Sequence, residues 1–208
     1  MDALPHFVRV DTPRPELGAL LATVAMLVDD QRAVVLHVTA AQPGAGTTTV
    51  TRELAAATAR PPWCRVALVD ACAQPADYGH ASMLAAFERG QEPVLRPGEI
   101  GGSSVALGRL TGFGEGPPRL ESLRGLFAWM RAHYTVVIVD SPPVLPNRQA
   151  AMAGAVADGT LLVVEAERTT RADILQTREV LDQLGATILG VILNKRRDRM
   201  PRSLAPRL

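Results

Sequence analysis

Residues 40–54 read "AAQPGAGTTTVTREL" and follow the apolar run "AVVLHVT". The order is that of a strand, a glycine turn and a helix start. Gly44 and Gly46 permit a tight turn and close backbone approach. Successive N–H groups then point into one concavity, at a helix N-terminus whose dipole favours an anion. The backbone of Gly44, Ala45, Gly46, Thr47, Thr48 and Thr49 is the expected cradle, with the Thr48 hydroxyl placed to ligate Mg²⁺. A phosphate-binding loop of the pattern G-x-x-x-x-G-K-[ST] carries a lysine where this chain has Thr47. A lysine about 4 Å from a phosphate oxygen contributes roughly 4 kcal/mol at an effective dielectric of about 20. Even half of that is about tenfold or more in affinity. Phosphoryl transfer suffers further, because charge moves onto those oxygens in the transition state. Arg52, more than a turn into the helix, is expected to point away. A plainer reading competes: Thr47–Thr49 cap a helix after a glycine turn.

The elements that must position this loop are legible as alternation. Apolar β-type runs occur at Ala33–Thr39, Arg65–Val69, Val105–Leu110, Thr135–Val139, Thr160–Val164 and Ile188–Leu193. Helical patterns fall at 16–30, 47–59, 82–89, 120–133, 150–156 and 170–184. Leu120, Leu123, Phe127 and Met130 share one face at three- and four-residue steps. Continuous Val, Leu and Ile strands between helices predict an α/β fold: a single doubly wound, mainly parallel sheet with helices on both faces. "RPGEIGGSSV" and "TGFGEGPP" read as loops. Residues 1–15 are proline-broken and irregular, 16–195 form one domain, and 196–208 are a basic tail without period, expected to be disordered. In such a sheet ligands sit beyond the carboxyl ends of the strands, so chemistry is sought just after each strand.

Composition narrows the classes. The 208 residues are 47% hydrophobic and 21% charged, enough for one sizeable core. A net charge of +1 demands no nucleic acid or other polyanion. Cys64 and Cys72 are too few for a disulfide framework and lack zinc-type spacing, so a reduced cytosolic setting is expected. No leader-like start is visible, and the longest apolar stretch, Leu17–Val28, is shorter than a membrane span. Of 22 basic residues only Lys195 is a lysine, which leaves almost none to replace a missing one.

"HYTVVIVDSPPVL" (His133–Leu145) is the most specific stretch. Together with "RVALVDACAQP", "ADGTLLVVEAERTTRADI" and "GATILGVILNK", it resembles the bacterial tyrosine kinases of polysaccharide export (BY-kinases), relatives of the ParA/MinD P-loop ATPases. The resemblance runs in order over roughly residues 16–195. It implies a P-loop NTPase-like fold and Mg-ATP as cofactor. It also implies a cytoplasmic site of action at the inner face of the plasma membrane, held there by a membrane-embedded polysaccharide co-polymerase. Family members phosphorylate a tyrosine-rich tail on a neighbouring subunit.

Residue by residue, the resemblance is uneven. Thr48 matches and Thr47 does not. The family's second motif, hydrophobic-Asp-x-Asp-x-Arg, keeps Asp70 but has Cys72 and Gln74. Mg²⁺ wants hard oxygen ligands, which a neutral thiol does not supply. Asp140 occupies the place that holds a metal-bound water, so Thr48, Asp70 and Asp140 are the remnant metal set, and Asp70 and Asp140 the remnant catalytic acids. Either acid could instead merely cap the loop after its strand. Gln149 stands near where the family has a further acid. Asn194 matches the position that reads the adenine edge, where an amide offers donor and acceptor. Tyr78 and Tyr134 are the only tyrosines, neither in the tail, and the 16–30 helix keeps Glu16 without the arginine of the family's ring contact.

The losses are chemical while the sheet-forming runs and turn glycines remain. The expected function is a regulatory or scaffolding, kinase-like subunit of exopolysaccharide or capsule synthesis, with weakened ATP or ADP binding and little or no turnover. The alternatives are an active ATP-dependent tyrosine kinase or ATPase with a cation supplied from elsewhere, a partition-type ATPase, and an α/β module without nucleotide. The partition type carries an early loop lysine that Ala41–Gln42 lack.

Overall fold

A computed structural model describes residues 33–72, 82–110 and 119–195. The expected helix at 16–30, the "TGFGEGPP" loop, Gln74, Tyr78 and the basic tail lie outside the described residues. Seven strands form one sheet: β1 (Val34–Ala40), β2 (Val66–Asp70), β3 (Arg96–Ile100), β4 (Ser103–Arg109), β5 (Val136–Asp140), β6 (Gly159–Glu165) and β7 (Ile188–Asn194). Their order is β3-β4-β2-β5-β1-β6-β7. All neighbours run parallel except β3 and β4. The described helices are α1 (Thr47–Thr58), α2 (Met83–Glu88), α3 (Leu120–His133), α4 (Ala151–Gly154) and α5 (Arg171–Gln183), with a 3-10 turn at Arg148–Ala150.

Strand residues alternate between two cores, as a sheet buried on both faces requires. Leu36, Val38, Leu68, Ile138 and Val163 join Val50 and Leu54 of α1 on one face. Val35, Val69, Val137 and Val139 join Met83 of α2 and Leu123, Phe127 and Met130 of α3 on the other. The doubly wound, mainly parallel sheet expected from the alternation is the one formed.

The "RPGEIGGSSV" segment corrects the sequence reading, which made it a loop. It is an antiparallel hairpin at the sheet edge, with Ile100 opposite Ser103. Gly101 (φ 56°) and Gly102 (φ 79°) both take the left-handed conformation. A two-residue Gly-Gly connection suits the twist of paired strands, and Pro97 is tolerated because β3 is an edge strand.

Because six strands run parallel, the carboxyl ends of β1, β2, β5, β6 and β7 share one rim with that of β4. Ala40, Asp70, Asp140, Glu165 and Asn194 therefore converge from positions up to 154 residues apart in the chain.

Candidate functional site

The loop after β1 is built as a cradle. Gly44 has φ 88° and Gly46 φ 87°, both in the left-handed region that side chains disfavour. Gly46 is the N-cap of α1, and no side-chain hydrogen bond caps the helix. The reading of Thr47–Thr49 as side-chain caps is therefore not what this helix uses. Beneath the loop runs the Ser-Pro-Pro-Val-Leu segment: Val144 N–H donates to the Ala40 carbonyl (2.9 Å) and Leu145 N–H to that of Ala41 (3.2 Å). Thr39 Oγ1 donates to the Pro142 carbonyl at 2.8 Å. A shallow cleft of ≈ 220 Å³ opens beside the loop, between Gln42, Pro43 and Ala45 on one side and Glu165, Arg168 and Thr169 on the other.

Asn194 and Lys195, at the end of β7, hold the loop from its other flank. Asn194, 3% exposed, donates from Nδ2 to the Ala45 carbonyl at 2.8 Å. A Cβ on Gly46 would lie 2.4 Å from that same nitrogen. The amide expected to read an adenine edge is thus engaged with the loop. Lys195 donates from Nζ to the Gly44 carbonyl at 2.5 Å and pairs with Glu165 at 3.3 Å. Arg168 pairs with the other Glu165 oxygen at 3.3 Å, and its guanidinium would lie 3.1 Å from a Cβ on Gly44. Two cations therefore stand at the mouth of a loop that lacks its own.

The acids meet on the neighbouring strands. Asp70 and Asp140 are direct partners in the β2–β5 register, both essentially buried. Asp70 Oδ1 accepts from Cys72 N–H at 2.8 Å, while Asp70 Oδ2 and Asp140 Oδ1 are buried without a hydrogen-bond partner. Cys72 Sγ faces the Asp140 carbonyl at 3.8 Å. Burial pushes the Asp140 carboxyl up to about 7, with the Asp70 charge adding to it and the Thr48 and Thr51 hydroxyls and Arg52 opposing. Burial raises Asp70 as well, against the Cys72 hydrogen bonds and the charges of Arg109 and Arg52. The Arg52 charge lowers both carboxyls against that burial.

The residues expected to hold Mg²⁺ are thus assembled, and their chemistry can be tested for fit. Thr48 and Asp140 lie together, and Asp70 beside them. The third donor within reach, however, is a thiol: Asp70, Cys72 and Asp140 place one ligand atom each within 4.8 Å of one another. Mg²⁺ takes hard oxygen ligands, which Thr48, Asp70 and Asp140 offer and the Cys72 thiol does not. The nucleotide phosphates fit better. The glycine conformations, the uncapped helix start and the flanking cations all suit an anion.

Sequence reasoning missed Lys195, Arg168 and Cys72 as site residues. Cys72 was visible as a substitution inside a strand-end motif. Lys195 and Arg168 gave no local signal, because only the sheet order brings β6 and β7 beside the loop.

No family model matches the chain. Tyrosine-protein kinase etk of Escherichia coli K12 is 29% identical over 203 residues, covering 90% of this chain and 28% of that protein. Tyrosine-protein kinase wzc of Salmonella typhimurium is 31% identical over 171 residues, covering 77% of this chain and 24% of that protein. The chain thus spans about a quarter of the length of these relatives. The solved kinase domain of the E. coli Etk superposes with a TM-score of 0.69 at 24% identity, over 89% of this chain and 77% of that one. McdA of Cyanothece in an ATP complex shares the fold at a TM-score of 0.61 and 18% identity, over 78% and 70% of the two chains. By sequence and by fold together, the chain is a homologue of the bacterial tyrosine-protein kinases, built on their P-loop NTPase-like α/β domain.

Proposed function

We propose that this chain is a nucleotide-binding regulatory or scaffolding subunit of exopolysaccharide or capsule synthesis or export. It docks on a membrane-embedded co-polymerase and turns nucleotide over weakly or not at all. The single observation that carries this reading is the loop itself. Gly44 and Gly46 keep the conformation of an anion cradle, while Thr47 stands where a lysine would neutralise the outer phosphates. Gly44, Ala45, Gly46, Thr47, Thr48 and Thr49 hold the phosphates, Asn194 keeps the loop in register, and Asp70 and Asp140 remain as the remnant acids. A bound nucleotide phosphate meets backbone dipoles and helix charge, which suffice for binding. Transition-state charge, in contrast, lacks a cation fixed within the loop.

The co-polymerase partner and the inner-membrane location rest on kinship with the tyrosine kinases. Among the described residues no helix is long and apolar enough to cross a membrane. The experiment is a calorimetric titration of the purified chain with ATP and ADP, beside a phosphorylation assay, for wild type and Thr47→Lys. The reading expects measurable binding, turnover near background, and binding at least about tenfold tighter in the variant. Tyrosine phosphorylation by the wild type at the rate of Etk itself would falsify it.

One observation favours the second reading, an active ATP-dependent tyrosine kinase or ATPase. Lys195 Nζ lies 2.5 Å from the Gly44 carbonyl oxygen, and the Arg168 guanidinium faces Gly44 across the cleft, so two cations flank the loop. Turnover that appears in the presence of a membrane co-polymerase and vanishes in Lys195→Ala decides for that reading.

A further inference from the structure

Asp70 ends β2, Cys72 follows two residues later, and Asp140 ends the adjacent β5. Their ligand atoms lie within 4.8 Å of one another. Two of the carboxylate oxygens, Asp70 Oδ2 and Asp140 Oδ1, are fully buried and have no hydrogen-bond partner. Asp70 is 0% and Asp140 1% exposed. Orphaned buried acceptors are rare because each forfeits its hydration. The Thr48 and Thr51 hydroxyls act on the Asp140 carboxyl, yet one oxygen of each acid stays unpartnered. Arg52 and Arg109 offset part of the negative charge without bonding these two oxygens.

The chemistry of the third donor selects among cations. A cysteine sulfur binds Zn²⁺ and other borderline-soft ions as thiolate and is a poor ligand for Mg²⁺. Bonds of about 2.0 to 2.3 Å around a tetrahedral ion set donors roughly 3.5 Å apart, a modest contraction of the spacing present. We propose that Asp70, Cys72 and Asp140 form a Zn²⁺-type metal site that has replaced the Mg²⁺ site of the fold. Three protein ligands leave a fourth position for water or a phosphate oxygen. Binding converts the Cys72 thiol to a metal-bound thiolate, and its proton goes to solvent.

The test uses the whole chain, stripped with chelator, without nucleotide, so that its outcome is independent of the nucleotide reading. Co²⁺ is titrated in as the spectroscopic probe. A near-ultraviolet thiolate-to-cobalt charge-transfer band with visible d–d bands is expected, lost on adding Zn²⁺ and unaffected by about a hundredfold excess of Mg²⁺. Cys72→Ala abolishes the charge-transfer band and weakens Zn²⁺ binding more than about 100-fold, whereas Cys64→Ala retains both. Cys72→Asp, which keeps a ligand at the position, binds Mn²⁺ or Mg²⁺ in place of the thiol-type spectrum; circular dichroism confirms that each variant is folded. Absence of a cobalt spectrum in the folded wild type, its persistence in Cys72→Ala, or displacement by Mg²⁺ overturns the proposal.

Discussion

Lys195 Nζ lies 2.5 Å from the carbonyl oxygen of Gly44, so the chain's single lysine rests on the loop whose own lysine position is filled by Thr47. Its ammonium also meets Glu165 and is 46% exposed as a side chain. An exposed pair of this kind adds at most about 1 kcal/mol to stability. Lys195→Ala is therefore expected to leave the melting temperature almost unchanged while lowering ADP affinity about tenfold. Fluorescence anisotropy of a labelled ADP at two salt concentrations checks this. Equal affinity in the variant shows that the lysine serves the loop backbone alone.

Gly46 is the tightest point of the cradle. Its φ of 87° disfavours any side chain, and an added Cβ would sit 2.4 Å from the buried Asn194 amide. Gly46→Ala should cost about 2 kcal/mol by denaturant unfolding. It should also break the Asn194 hydrogen bond to Ala45, so nucleotide binding falls along with stability. Gly90 has φ 70° but nothing near its missing Cβ, so Gly90→Ala is the control that carries backbone strain without the clash.

His37 is fully buried in β1, with Nδ1 3.1 Å from Thr160 Oγ1. Burial lowers its pKa from 6.5 to about 4. The unfolded chain thus binds more protons than the folded one across that window, and stability falls as pH drops from 6.5 towards 4. The full loss is about 3 kcal/mol. Asp140, raised from 3.8 to about 7, acts in the opposite direction over an overlapping range. The His37 contribution is therefore read as the difference between wild type and His37→Leu in urea melts at successive pH values. Parallel curves for the two proteins refute it.

Asp70 and Asp140 face each other across β2 and β5, each with an unpartnered buried oxygen. In metal-free protein at pH 8, Asp140→Asn should raise stability by about 1–3 kcal/mol, because a charge in a low-dielectric site is removed. Thermal unfolding in chelator measures it. A lower melting temperature means that Thr48, Thr51 and Arg52 already compensate the carboxylate in full.

The strands that build the rim were legible because β1, β2, β5 and β6 are runs of Val, Leu and Ile long enough to be buried on both faces. Gly44, Gly46, Asp70 and Asp140 stood out for the same reason, each lying just past such a run. The β3–β4 hairpin was not legible from apolar content, since Pro97, Gly98 and Glu99 dilute it; the Gly101-Gly102 pair was the available signal. Lys195 and Arg168 were beyond local reading. Lys195 meets Gly44 across 151 residues of chain, a proximity that exists only because β6 and β7 were laid beside β1.

The hairpin also decides how this sheet ends. On β3, Pro97 offers no N–H, and Arg96 and Glu99 are exposed charges. A further strand arriving at that margin would meet a missing donor and two hydrated side chains. Those features turn the border from a pairing template into a hydrated margin, which disfavours joining of copies into a continuous sheet there.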